Sequence, residues 1–362
     1  MKIFIDIGHP AHVHYFRNFI SIMKSKGHRF FITARDKEVA HSLLRANNLE
    51  FINRGKGKNR FIDKFLYIFQ ADYLLLKHAK KFKPDIFLSF ASPYAAHVSK
   101  LMKKPHIAFD DTENAKFGQM FYKPFTDLVC SPTTFSKNFG KNHIKFNGYM
   151  ELCYLHPNYF KPNKSILTTL GIKNEEKYTI LRFVSWEANH DGGHSGITLE
   201  NKIKAVNEFK NFSKVFISSE KELPSKLKKY KIQIPPEQMH DALAYASLLY
   251  GESATMASEC AVLGVPSIFI DNEGRGYTDE EEKKYGLVYN FTESLKDQER
   301  SIKKGIELLK KNDLESEWKR RKERMLTDKI DVTAFMIWLI GNYPESLKKL
   351  KHNTDIQTKF KR

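Results

Sequence analysis

The sequence predicts an α/β protein made of two Rossmann-like domains facing a cleft. Short β-rich apolar runs alternate with helical stretches along most of the chain, the pattern of parallel sheets covered on both faces. That rhythm breaks once, in a proline-punctuated stretch after Gly148, and then resumes. A length of 362 residues is room for about two domains, each able to bury its own core.

Residues 2–7 are the first apolar run, stopped by Gly8 and Pro10. Residues 14–26 repeat apolar side chains at helical spacing (Phe16, Phe19, Ile20, Met23), Gly27 follows as a C-terminal cap, and 29–33 is the next strand, which completes a βαβ unit. Helical stretches at 62–83, 95–103 and 116–126 lead into the strands PDIFLSF, HIAFD and DLVCS. The segment YMELCYLHPNYFKPNKS has two prolines and no period, and reads as a linker. A second series starts at YTILRFVS, passes a glycine-rich loop and a helix from Thr198, and continues with the strand KVFISS and a helix near Ser225. The strand KIQI, a helix from Pro236, the strand LLYG, a helix over 255–263 and the strand SIFID complete it. From Ser301 the chain is helical and charged; an apolar segment over 335–339 is expected to pack back on one of the domains, and the Lys-rich tail after Pro344 to be mobile. The expected division is 1–150, a linker over 151–175, a second domain over 176–330, and a C-terminal helix and basic tail over 331–362.

Charge narrows the function classes. Sixty Lys and Arg against 42 Asp and Glu give a net +18, and an anionic partner follows. Residues 1–150 carry 25 basic and 11 acidic side chains, so most of the excess lies in the N-terminal half. Cys130, Cys153 and Cys260 form no CxxC pair for zinc or redox work, and a reducing cytoplasm fits them. Asp6 interrupts the first apolar run too early for a signal peptide, and the longest later candidate, 332–340, is about half the length needed to span a bilayer. Residues 54–83 hold nine Lys or Arg, two acids and six aromatics. Nucleic-acid binding is disfavoured because the aromatics follow helical spacing and no known motif is present. Two readings stay open: a face resting on anionic lipid, and an ordinary helix whose apolar stripe packs on the sheet while its lysines face water.

Several loops hold candidate chemistry. In 239–271 a strand ends in a turn of small and hydroxylated residues (Gly251, Ser253, Thr255) that opens a helix carrying Glu259. Free N–H groups at a helix N-terminus suit a phosphate, and Glu259, one turn beyond Thr255, is spaced to accept two ribose hydroxyl hydrogens. The alternative is that Ser253 and Thr255 only cap the helix and Glu259 is a solvated charge. The loop GHPAHVH sets His9, His12 and His14 at the carboxyl edge of the first sheet, where ligands bind. His12 or His14 is a candidate general base, with helix-start hydrogen bonding as the alternative; no nearby Cys or acid completes a metal set, so no metal is expected. Asp110, Asp111 and Glu113 follow HIAFD at the same edge, as candidate bases or as the cap of the next helix. In RFVSWEANHDGGHSGIT, Gly192, Gly193 and Gly196 would let backbone approach a phosphate, with His190 or His194 as a donor, unless this is a plain flexible loop. The D-x-E of SIFIDNEGRGY (Asp271, Glu273) is not expected to hold a metal.

Segment 239–271 resembles the nucleotide-diphosphate-sugar site of GT-B glycosyltransferases and the related UDP-N-acetylglucosamine 2-epimerases: a glycine or serine turn, a glutamate, then a G-x-P-x strand entry. FDDTENAKFGQMFYKPFTDLVCSP is similar to the acceptor-domain segment of the peptidoglycan GlcNAc transferase. Taken whole, MKIFIDIGHPAHVHYF, the DDTENA segment, NGYMELCYLHPNYFKP and the segment with GLVYNFTES resemble the family called domain of unknown function 354, over nearly the full chain. The resemblance implies a GT-B fold, Glu259 on the ribose, and Ser253, Ala254, Thr255 and Ser185 near the diphosphate, where Gly193 and His194 would join them. The expected activity is transfer of a sugar from a nucleotide-sugar, UDP-linked, in the C-terminal domain to a glycan or lipid-linked hydroxyl on the N-terminal domain, as in polysaccharide biosynthesis. His12, His14, Asp111 or Glu113 would take the acceptor proton, with no cofactor besides the donor. Alternatives are an epimerase-like isomerase and a non-catalytic nucleotide-sugar-binding protein. The expected location is the cytoplasm, at the inner face of the membrane, with peripheral contact to anionic lipid and no nucleic-acid partner.

Overall fold

A computed structural model describes residues 1–37, 39–57, 61–173, 176–184, 196–219 and 221–361, excluding the side chains of residues 61, 62, 64, 65, 116 and 117. The chain forms two compact units, Met1–Tyr154 with Lys329–Arg362, and Leu155–Asp328. The stretch expected as a separate linker thus divides at Tyr154, and most of it belongs to the second unit.

Unit 1 holds strands β1 (Lys2–Ile7), β2 (Arg29–Ala34), β3 (Ile52–Asn53), β4 (Ile86–Phe90), β5 (His106–Phe109), β6 (Leu128–Pro132) and β7 (His143–Phe146). They pair in the order β3-β2-β1-β4-β5-β6-β7, all parallel. The strands are apolar because helices cover the sheet: α1 (Pro10–Ser25), α2 (Ala40–Ala46), α3 (Phe61–Phe82), α4 (Pro93–Leu101) and α5 (Lys116–Tyr122). Helix α1 begins four residues before its apolar period, since the His9 side chain accepts the Ala11 N–H (3.2 Å) and Pro10 sits in the first turn. The pieces α2, β3 and β7 are too short to show a period.

Unit 2 begins within the short helix α6 (Leu152–Leu155) and continues through α7 (Ile166–Thr169). Its strands β8 (Tyr178–Phe183), β9 (Lys214–Ser219), β10 (Leu248–Gly251), β11 (Ser267–Ile270) and β12 (Val288–Phe291) pair in the order β12-β11-β10-β8-β9, again all parallel. The helices are α8 (Leu199–Phe209), α9 (Met239–Ala244), α10 (Ala254–Leu263), α11 (Gly276–Glu280), α12 (Leu295–Lys310) and α13 (Leu314–Asp328). KIQI is not a strand: it contributes one bridge, Lys231 to Ile217, before Pro235 and Pro236 turn the chain away. The fifth strand is β12 instead.

The chain then returns to unit 1 through α14 (Val332–Gly341) and α15 (Glu345–His352). Phe335, Met336, Leu339 and Ile340 are fully buried, and the Phe335 ring lies 5.7 Å from Phe146. The tail after Pro344 is folded rather than mobile: Leu350 is fully buried and the Phe360 ring packs 5.6 Å from Trp338. Gln357 adds hydrogen bonds to the Lys145 carbonyl (2.9 Å) and from the Asn147 N–H (3.2 Å), and such anchors, scattered singly among many lysines, give no sequence signal. Among the described residues, no helix is long and apolar enough to cross a membrane.

Candidate functional site

In unit 2 the chain runs from β8 outward to β9, then back across to β10 on the other side of β8. Ligands of open parallel sheets bind at the carboxyl ends of strands beside such a switch point. Val184, which follows β8, and the turn Gly251–Ser253, which follows β10, leave the sheet here. Gly251 has φ +152°, and a Cβ on it would lie 2.0 Å from the Arg182 carbonyl oxygen, so only glycine lets the end of β10 approach β8 this closely. The next residue, Glu252, accepts the N–H of Val184 (2.6 Å) and of Ile197 (2.7 Å) and pairs with Lys202 (3.0 Å), which ties together the two ends of the intervening segment. Ser253 caps α10 by accepting the Met256 N–H (3.3 Å). Among the described residues, the N–H groups of Ser253, Ala254 and Thr255 have no acceptor, which leaves them available to an anion.

Glu259 lies further along α10, and it is buried, not solvated; its Oε1 accepts from His240 Nε2 at 2.9 Å. His240 comes from α9, is also buried, and has its ring edge-on to Phe160. Ser185, Gly193 and His194 lie outside the described residues. Asp271 Oδ1 accepts the N–H groups of Glu273 (2.7 Å) and Gly274 (3.1 Å), so the D-x-E is a closed turn.

In unit 1 the switch point lies between β1 and β4. Asp6, fully buried near the end of β1, accepts from Thr33 Oγ1 (2.8 Å), Arg54 Nε (2.9 Å) and Ser92 Oγ (2.5 Å), and so binds the ends of β1, β2, β3 and β4 to one another. Arg54 is itself buried, with its guanidinium 4.5 Å from the Tyr94 ring centroid and Nη1 donating to the Tyr67 hydroxyl (2.9 Å). Burial works against its charge, but Asp6 outweighs it and the Arg54 pKa rises.

His12 stands beside this network, half-buried, with its ring 4.7 Å from Phe90. Its Nδ1 accepts the Gly8 N–H (3.3 Å), so the neutral ring carries its proton on Nε2. Dense protein around the ring, then His9, Lys37 and Arg54, hold its pKa well below the usual histidine value. At neutral pH His12 is therefore an Nε2–H donor. His14, by contrast, is buried, with its ring stacked 5.2 Å from Tyr154 and its Nδ1 3.3 Å from Arg17 Nη1.

Neither Asp110 nor Asp111 caps α5, whose cap position is Ala115. Asp110 accepts from the Thr112 N–H (2.9 Å), the Tyr122 hydroxyl (2.6 Å) and Gln119 Nε2 (3.3 Å), and burial raises its pKa. Asp111 Oδ1 accepts from Thr112 Oγ1 (3.0 Å). Glu113 accepts the Ser136 N–H on Oε1 (3.4 Å), and its Oε2 has no partner among the described residues. One strand separates β1 from β5, so these acids leave the sheet about 10 Å from the His12 loop. A cavity of about 690 Å³ in unit 1 is lined by Lys100, Lys103, Lys104 and Asp127 and opens at the amino edge of the sheet, away from these loops.

Sequence reasoning passed over Asp6, Arg54, Glu252 and His240. Asp6 carries a readable signal, because a lone carboxylate inside an apolar strand must find partners when buried. The other three carry none, since each is defined by what lies across the fold.

Two parallel sheets in these strand orders, with helices on both, make this an α/β protein of the GT-B class. The UDP-GlcNAc 2-epimerase from Neisseria meningitidis bound to UDP-GlcNAc superposes with a TM-score of 0.64 at 14% identity, over 88% of this chain and 94% of that one. The glycosyltransferase SsfS6 from Streptomyces sp. SF2575 superposes with a TM-score of 0.57 at 12% identity, over 94% and 100%. The chain belongs to the family described as protein of unknown function DUF354, matched over residues 1–286. An uncharacterised protein of Methanocaldococcus jannaschii is 24% identical over 285 residues, which is 74% of this chain and 81% of that protein.

Proposed function

We propose that this protein transfers a sugar from a nucleotide-sugar, UDP-linked, to a hydroxyl of a glycan or lipid-linked acceptor. One observation carries the reading: the N-terminus of α10 opens at the unit 2 switch point with three N–H groups that have no acceptor among the described residues, ahead of a buried carboxylate, Glu259, held by His240. The diphosphate of the donor sits on those N–H groups, which take up the negative charge that grows on the leaving UDP. Glu259 accepts the ribose hydroxyls. In the transfer, the bond from the sugar's anomeric carbon to the phosphate oxygen breaks, the bond to the acceptor oxygen forms, and the acceptor proton passes to a carboxylate. Glu113 is assigned that last role, its Oε2 being enclosed by protein and without a hydrogen-bond partner among the described residues; His12, protonated on Nε2, donates to an acceptor oxygen.

The test is to incubate the protein with a panel of nucleotide-sugars and follow nucleotide release, with and without a lipid or glycan extract. Release that depends on the extract supports transfer. An altered sugar formed without any acceptor assigns the site to epimerisation, and absence of nucleotide binding removes the donor site altogether. Glu259→Gln is expected to weaken UDP binding roughly tenfold or more, the worth of a charge-assisted hydrogen bond.

A further inference from the structure

We propose that the outward face of α3 is a docking surface for an anionic lipid bilayer. The helix is 22 residues long and has two faces. Tyr67, Ala71, Leu75 and Ala79 are buried against unit 1 and account for the stripe that packs on the sheet. On the opposite side Leu66, Phe69, Tyr73, Lys77 and Lys80 follow one another at spacings of three and four, so they share one stripe. Leu66 is 54% exposed, Phe69 60% and Tyr73 70%, three large side chains in succession that pay no part in the core. The two lysines that continue the stripe are exposed as well.

The acids of α3 are Asp63 and Asp72, and neither falls on this stripe; Asp72 is bound to His97 Nδ1 at 2.9 Å. His97 belongs to α4, and its Nε2 donates to the Phe121 carbonyl of α5 (3.0 Å), so α4 packs between α3 and α5 and leaves the outward stripe of α3 uncovered on that side. At 1.5 Å per residue the apolar half of the stripe, Leu66 to Tyr73, runs about 10 Å, and the basic half, Tyr73 to Lys80, about another 10 Å. A helix lying flat on a bilayer would sink the first half among the acyl chains and set the second against lipid phosphates. The charge chooses the occupant. An anionic surface satisfies Lys77 and Lys80 together, whereas a second copy of this face brings two more lysines and no acid to pair with them.

This inference holds whether or not the protein transfers sugar. The experiment is sedimentation of the full chain with phosphatidylcholine vesicles and with vesicles containing one quarter phosphatidylglycerol, at low and high salt. Binding is expected only to the anionic vesicles, and to weaken as salt rises. The pair Leu66→Glu and Phe69→Glu is expected to lower the bound fraction at least tenfold, and Lys77→Ala or Lys80→Ala about fivefold each. Because all four side chains are exposed, the variants should keep the wild-type melting temperature and nucleotide binding. Equal sedimentation of the double variant, or no binding to anionic vesicles, overturns the proposal. Vesicle-free dimerisation that Leu66→Glu abolishes would do so too, by assigning the face to a second copy.

Discussion

Gly251 and Glu259 illustrate how differently a residue's role shows in the sequence. A glycine at the end of a strand reads as a turn, but its necessity comes from the Arg182 carbonyl, 2.0 Å from where a Cβ would stand. Gly251→Ala is expected to cost about 3 kcal/mol, from backbone strain and overpacking together, read as a fall in the thermal midpoint. Glu259 was legible as a candidate because turn, acid and G-x-P occur together, yet its burial and its His240 partner were not. His12 was legible as a polar residue at a sheet edge, but its protonation was not: one backbone N–H, from Gly8, decides which nitrogen carries the proton. His12→Gln retains an N–H donor, so the acid limb of the pH-rate profile should stay where it is in the wild type. A shift of that limb would make His12 the base and displace Glu113.

Helices and loops are held by pairs that cross between elements. His97 joins α3 to α5, and both of its nitrogens face groups that accept, the Asp72 carboxylate and the Phe121 carbonyl, so the bound form is the charged one. Burial alone would lower the His97 pKa, but Asp72 and the carbonyl outweigh it and the value rises above 6.5. The stability this pair adds is therefore fully present below about pH 6.5 and is lost as pH climbs through the folded pKa. The gap in melting temperature between wild type and His97→Gln is expected to be widest near pH 6 and to close toward pH 9; a gap that does not change with pH would mean a neutral His97. Glu252 does comparable work in unit 2, where burial depresses the Lys202 pKa and Glu252 partly restores it. Glu252→Ala strands Lys202 in a buried setting and should cost about 3 kcal/mol, with faster amide exchange at Val184 and Ile197. Neither pair has a sequence signature, because partners 25 and 50 residues apart become neighbours only when the helices dock.

For the molecule as a whole, the C-terminal return makes unit 1 discontinuous. Met336, fully buried with its sulfur 3.7 Å from Cys153 Sγ, helps complete the core that β7 and α1 leave open. Met336→Ala is expected to destabilise unit 1 by about 2 to 5 kcal/mol, and calorimetry should show the loss in one transition while the unit 2 transition stays in place. What the sequence by itself determined is the alternation of strands and helices, the count of two α/β units and the loops at the carboxyl edges, because these rest on local periodicity and on glycine and proline chemistry that act within a few residues. The tertiary structure alone decided the strand orders and hence the switch points, the replacement of KIQI by β12, and the docking of the basic tail. It also decided which polar groups are buried in pairs and that α3 carries a second, outward apolar stripe. Those are set by which faces meet, and a helical period reads the same whether its stripe meets a sheet or is left exposed.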